Sequence, residues 1–125
     1  MEGPSLAASA LRLERTRDAE NDFVAGQIAW DAEQRLVGAG DFAEQFRRAL
    51  QNVEAVVRAA GCEPCNVTRL TIYVTDKRRY LDALRDVGAA YREVFGKHFP
   101  AMALVQVVDL LEDGALVEIE ATAVR

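Results

Sequence analysis

The end of the chain, residues 99–124, places the tightest limit on what it can fold into. From Val117 it reads V-E-I-E-A-T-A-V, with Val117, Ile119, Ala121 and Ala123 at one parity and Glu118, Glu120, Thr122 and Val124 at the other. Successive side chains of a strand point to opposite faces, so this run lays its odd positions on a core and presents two carboxylates on the other side. A second apolar run, A-M-A-L-V-Q-V-V from Ala101, precedes it across the acidic turn Glu112-Asp113-Gly114. A sheet made of such strands has one face that helices can cover and one mixed face of acids among apolar neighbours.

Two helical patterns supply the cover. Phe42, Phe46, Ala49, Leu50, Val53, Val57 and Ala60 recur at three- and four-residue steps, one apolar stripe. Asp41 stands where an N-cap belongs, with Glu44 three residues on, and Gly61 is placed for a left-handed C-terminal cap. After Asp76 the helical spacing returns through Tyr80, Leu84, Val87, Tyr91, Val94 and Phe95, until Pro100 blocks continuation. Between the helices Leu70, Ile72 and Val74 alternate as a strand. Near the start, Leu11 and Leu13 alternate with Arg12 and Glu14 as an edge strand. Phe23 opens a second strand running to Trp30, and Asp31-Ala32-Glu33-Gln34 turns the chain into a short return strand at Arg35-Leu36-Val37. The predicted order is β-β-β-α-β-α-β-β. This is an α+β protein in which a single mixed β-sheet carries two helices on one face, one domain spanning residues 1–125. The uncovered face must meet something, and a homo-oligomer packing sheets around an axis answers that need.

Charge and composition remove several function classes. Twenty acids against fifteen basic residues give a net charge of -5, and neither Lys77-Arg78-Arg79 nor Arg47-Arg48 extends into a basic stripe with interleaved aromatics. No nucleic-acid partner is expected. No apolar run approaches the length of a membrane span, and Met1-Glu2-Gly3-Pro4-Ser5 lacks the basic start of a secretory signal, so a soluble cytoplasmic protein with no membrane partner is expected. Cys62-Glu63-Pro64-Cys65 is a lone CxxC that follows a helix C-terminus, where the dipole disfavours thiolate. With His98 as the sole histidine, neither a zinc site nor a redox pair is expected, and the chemistry needs no metal and no cofactor. His98 itself is read as a cap for the second helix.

Several segments carry a family resemblance. Phe99-Pro100-Ala101 followed by an apolar strand, a turn and V-E-I-E-A-T-A-V is similar to the Rid (RidA/YjgF-like) family of imine/enamine deaminases. So are Ala25-Gly26-Gln27-Ile28, Leu50-x-Asn52-Val53 with Ala59-Ala60-Gly61, and Thr71-x-Tyr73-Val74-x-Asp76. The resemblance covers residues 23–124 almost without a gap; residues 1–22 match poorly. It implies a chorismate-mutase-like (YjgF-like) fold, a homotrimer, and small-molecule clefts between subunits.

The resemblance also assigns candidate site residues. Glu118 stands where the family's glutamate positions or activates water, and a carboxylate among apolar side chains has its pKa raised toward the range useful for proton transfer. The alternative is a carboxylate that only hydrogen-bonds its neighbours. Gly26 would let a ligand approach backbone amides, with a strand bulge as the alternative. Met102 takes the place of the arginine that clamps the substrate carboxylate in deaminating members, and it offers neither charge nor donor. Ala25 replaces a serine, Gly88 a common asparagine and Leu104 a frequent cysteine, so the implied substrate-binding surface is less polar than the family's. Arg12 is considered as a substitute cation, with edge-strand exposure the preferred reading. Trp30 is read as packing, with a place on the cleft rim as the alternative. Arg92 and Lys97 are read as helix surface and helix-end charge. Two functions follow. The preferred one is a cofactor-free enzyme acting on a small imine, enamine or related carbonyl compound other than the standard amino-acid-derived imine. The alternative is a non-catalytic trimer that binds a small molecule or a protein partner.

Overall fold

A computed structural model describes residues 15–17 and 20–125. Its sheet has five strands in the order β1-β2-β5-β3-β4: β1 Arg15–Arg17, β2 Asn21–Gln27, β3 Val67–Val74, β4 Ala101–Gln106 and β5 Val117–Val124. Only β3 and β4 run parallel; the other pairs are antiparallel, so the sheet is mixed as expected. The closing runs do not pair with each other. β5 sits in the centre between β2 and β3, and β4 lies beyond β3 at the edge.

Helix α1, Phe42–Ala59, starts and stops where its caps dictate. Asp41 Oδ1 accepts the amide of Glu44 at 3.1 Å. At the other end Gly61, at φ 82°, donates to Arg58, and Cys62 donates to Val57, a Schellman closure. The stripe of α1 buries Phe46, Leu50, Val53 and Val57 against Val24, Leu70, Ile72, Val117, Ile119 and Ala121 of the sheet. All the core side chains of β5 have odd numbers, which is the parity read from its alternation.

Three expectations about elements are corrected. The return strand at Arg35-Leu36-Val37 reduces to one isolated bridge, Trp30 to Leu36, and β2 ends at Gln27 rather than Trp30. Asp31 Oδ1 takes the amides of Glu33 and Arg35, and that tight Asx-type turn leaves too few residues to pair. The second helix is two, α2 Lys77–Asp82 and α3 Leu84–Phe95, broken at Ala83. The break lets Tyr80 set its ring against Phe42 and Phe46, at 6.2 and 6.3 Å between centroids, while Val87, Ala90 and Val94 of α3 pack into the main core. Finally, His98 does not cap that helix with its ring; Nε2 lies 2.6 Å from the carbonyl of Val67 and ties the α3–β4 connection to β3. The proposed edge strand at Leu11 and Leu13, and the candidate Arg12, lie outside the described residues.

Candidate functional site

The open face of the sheet is built around Glu118. Register places it opposite Tyr73 of β3, and β2 bulges beside it: Val24 faces Ala121 and Gln27 faces Ile119, so Ala25 and Gly26 together oppose Glu120. The bulge sets Gly26 directly over the carboxyl of Glu118. A Cβ on Gly26 would stand 2.6 Å from Glu118 Cδ and 2.8 Å from Oε2, closer than real side-chain atoms approach. Gly26 has no positive φ that would demand glycine. The strand bulge read as the alternative for Gly26 is present, and the group that crowds its Cα is the carboxyl of Glu118.

Tyr73 completes this group. Its hydroxyl donates to Glu120 Oε1 at 2.8 Å, and that hydrogen bond, then burial, then the charges of Glu120 and Glu118 hold the phenol above its ordinary pKa. Sequence reasoning missed Tyr73, although its T-x-Y-V pattern was noted; the signal was its parity, opposite to Ile72 and Val74. Asn52, inside the L-x-N-V segment, also gains a reason. Its Nδ2 bonds the carbonyls of Ile28 and Trp30 at 2.9 and 3.0 Å, fixing the chain just after the bulge. Trp30 is half-buried on that connection and belongs to neither group of candidate residues.

Met102 lies elsewhere. It pairs in register with Leu70, whose side chain faces the helices, so it projects to the face opposite Glu118. With Gly88, Tyr91, Phe99, Arg92 and Lys97 it lines an open, mostly apolar groove of about 410 Å³ between α3 and the edge strand β4. Met102 is 45% exposed and Phe99 77%. The Phe99 ring lies nearly parallel to that of Tyr91 at 6.2 Å. The hydroxyl of Tyr91 is buried with no hydrogen-bond partner among the described residues, and burial pushes its pKa up. Leu104 is half-buried against the core below, on the same side as Met102. The candidates thus fall into two groups: Glu118, Gly26 and Ala25 on the open face, Met102, Gly88 and Leu104 on the helical face.

The two cysteines are not a pair. Cys62 is buried and donates to Asp22 Oδ2 at 3.3 Å, while Cys65 is exposed, and both are free thiols. Asp22, 1% exposed, also receives Arg125 Nε at 3.3 Å, so the thiol belongs to a polar tie at the sheet end. Among the described residues, no group of three or more His, Cys, Asp or Glu side chains could hold a metal ion, and no helix is long and apolar enough to cross a membrane.

Comparison with known proteins agrees with this architecture. Residues 18–125 match the family described as Endoribonuclease L-PSP. The 2-iminobutanoate/2-iminopropanoate deaminase of Homo sapiens is 33% identical over 103 residues, covering 82% of this chain and 72% of the relative. The protein of the same name from Salmonella typhimurium is 38% identical over 106 residues, covering 82% and 78%. Among solved structures, a putative endoribonuclease from Thermotoga maritima superposes with a TM-score of 0.77 at 33% identity, over 90% of this chain and 84% of that one. The YjgF gene product of E. coli gives 0.75 at 32% identity, over 90% and 86%. With its mixed sheet, its helical layer and nearly its whole length in register, the chain belongs to the L-PSP (YjgF/RidA) family.

Proposed function

We propose that this chain is a cofactor-free hydrolase of small imines or enamines that works as a homotrimer, each site formed where two subunits meet. One observation carries the proposal. Glu118 and Met102 project from opposite faces of one sheet, so a single chain cannot bring them to the same ligand. A second copy that sets its open face against the first copy's groove does so, and it also covers the apolar Phe23 and Val105 of the open face. The deaminase names of the relatives support the reaction class.

In this reading Glu118 takes a proton from water as the water oxygen bonds to the imine carbon. Glu118 passes that proton to nitrogen, giving a carbinolamine, and then carries the remaining hydroxyl proton to the amine as the C–N bond breaks, so that ammonia leaves and the carbonyl remains. Gly26 leaves the space that the carboxylate occupies, and Tyr73 faces it in register from β3. Met102 has no guanidinium, and the loss of a charged hydrogen bond worth about 1.5–3 kcal/mol turns the specificity away from the standard amino-acid-derived imine. The name endoribonuclease is not extended to this chain, whose net charge is -5. That same Met102 favours a second reading, a trimer that binds a small molecule without turning it over.

The test is a panel of imines generated in place by oxidases acting on small primary amines and, as the comparison expected to be turned over poorly, on amino acids, with loss of imine followed against the uncatalysed rate. Turnover that falls at least about a hundredfold in Glu118→Ala, with the trimer mass intact by light scattering, supports the enzyme. A stable monomer in solution overturns the shared site, and turnover unaffected by Glu118→Ala overturns the role of that carboxylate.

A further inference from the structure

The groove beside Met102 carries a charge pattern that its apolar walls do not explain. Arg92 and Lys97 line it and no carboxylate does, in a chain whose net charge is -5. Among the described residues neither cation makes an ion pair or a side-chain hydrogen bond. Arg47 of α1 is by contrast engaged with Glu93, the neighbour of Arg92 in sequence, at 3.3 Å.

The position of Arg92 follows from the helix beneath it. Side chains on a helix lean toward its N-terminus, so a residue at i+4 lies over residue i. Arg92 lies over Gly88, and a Cβ added to Gly88 would stand 3.3 Å from Arg92 Nη1. Glycine gives the guanidinium its closest approach to the helix backbone, since even an added Cβ would ask it to back away by a few tenths of an ångström and a longer side chain by more. Gly88 thus does two things at once: it removes a side chain from the groove wall and gives Arg92 the room to lie there. A helix interior ordinarily disfavours glycine, so its presence five residues into α3 calls for such a gain.

The geometry points to Arg92, assisted by Lys97, as the anion anchor of this groove, a specificity-determining residue that supplies from α3 the charge missing at Met102. The ligand class is a carboxylate with an apolar or aromatic body, larger than the standard amino-acid-derived imine and anchored from α3 rather than from β4. Its carboxylate meets the Arg92 fork, and its body lies on Phe99, Met102, Val87 and the ring of Tyr91. Ordinary helix-end charge would account for cations near Phe95, and the carbonyls of that helix end carry only about half a negative charge against two full positive ones. The balance leaves the groove attractive to an anion.

This inference rests on assigning the groove to the reaction site, and it is tested by binding alone so that the two can fail separately. Titration calorimetry on the intact protein compares 3-phenylpropanoate with its uncharged twin 3-phenylpropanamide. Wild type is expected to bind the carboxylate at least about tenfold more tightly than the amide. Arg92→Met should bring the two within about twofold. Gly88→Asn should do the same with Arg92 still present, because the new side chain displaces the guanidinium. A wild type without preference for the carboxylate, including one that binds neither probe at millimolar concentration, overturns the inference. So does an Arg92→Met protein that keeps the preference, as it would if Lys97 alone were the anchor. If the preference depends on Arg92 while Glu118→Ala leaves turnover unchanged, the anchor stands and the catalytic reading falls.

Discussion

Replacing Gly26 by alanine separates fold from chemistry, because the three atoms nearest the added methyl group all belong to the side chain of Glu118. The new Cβ would lie 2.6 Å from Cδ, and ordinary contact begins at 3.4 Å, so the two must part by about 0.8 Å. β5 carries Glu118 in the middle of the sheet, hydrogen-bonded on both edges, and cannot yield. The flexible end of Glu118 moves instead. Driving it off its rotamer costs about 0.5–1.5 kcal/mol. Alanine for glycine at a φ that alanine accepts returns about 0.4–1 kcal/mol through the unfolded chain. Stability should therefore change by less than about 1 kcal/mol in urea denaturation. Catalysis has no such compensation: a displacement near 1 Å of a reacting group costs on the order of a hundredfold in rate. Gly26→Ala should keep its fold and lose about two orders of magnitude in kcat on whichever imine the wild type turns over. Combined with Glu118→Ala it should lose little more, since both changes remove one group. A Gly26→Ala protein with wild-type kcat, or a double variant whose losses multiply, would refute the idea that the bulge exists to hold that carboxylate.

Gln45→Ala should destabilise the fold by about 3 kcal/mol in the same denaturation experiment: the buried amide donates to the carbonyls of Gly38 and Gly114 and accepts the amide of Leu116, and all three lose a partner. Arg125→Ala should cost about 1–2 kcal/mol, less than a fully buried pair because the arginine is 40% exposed, and it should quicken labelling of Cys62 by a thiol reagent; unchanged labelling would show that Arg125 does not seal that corner. Ultraviolet titration should find Tyr73 ionising above the ordinary tyrosine range, an event missing from Tyr73→Phe. Because the folded state holds that proton more tightly than the unfolded chain does, the associated stability is complete below about pH 10 and drains away as pH rises through the folded value. A Tyr73→Phe protein whose stability falls along the same alkaline curve would refute the hydrogen bond to Glu120 as the cause.

What could be read from the residues was whatever depends on neighbours in the chain. Asp41 and Gly61 bracket α1 because capping is a matter of three or four residues, and the odd parity of β5 is visible in its own eight letters. What could not be read depends on partners far away. Nothing within residues 101–124 tells that β5 slips between β2 and β3 while β4 turns to run parallel to β3. Without that register Met102 and Glu118 look like members of one surface. The break at Ala83 was hidden because the apolar spacing runs through it unchanged. Arg92 was dismissed as solvated charge since its significance lies in Gly88 beneath it, a pairing visible only once the helix is built.

The central place of β5 has a consequence for how the molecule is made. Its two neighbours are separated by some forty residues of intervening chain, and neither β1–β2 nor β3–β4 can join the other until residues 117–124 have been synthesised. During synthesis β1–β2 and then β3 therefore wait with bare edges, and the apolar stripe of α1 waits for its floor. At about 5–20 residues per second that interval lasts several seconds, long enough for an exposed strand edge to meet a chaperone or another nascent copy. Closure then comes in one late, long-range step, which predicts slow folding for a chain of this size and places the bottleneck in its final strand rather than in its well-capped helix.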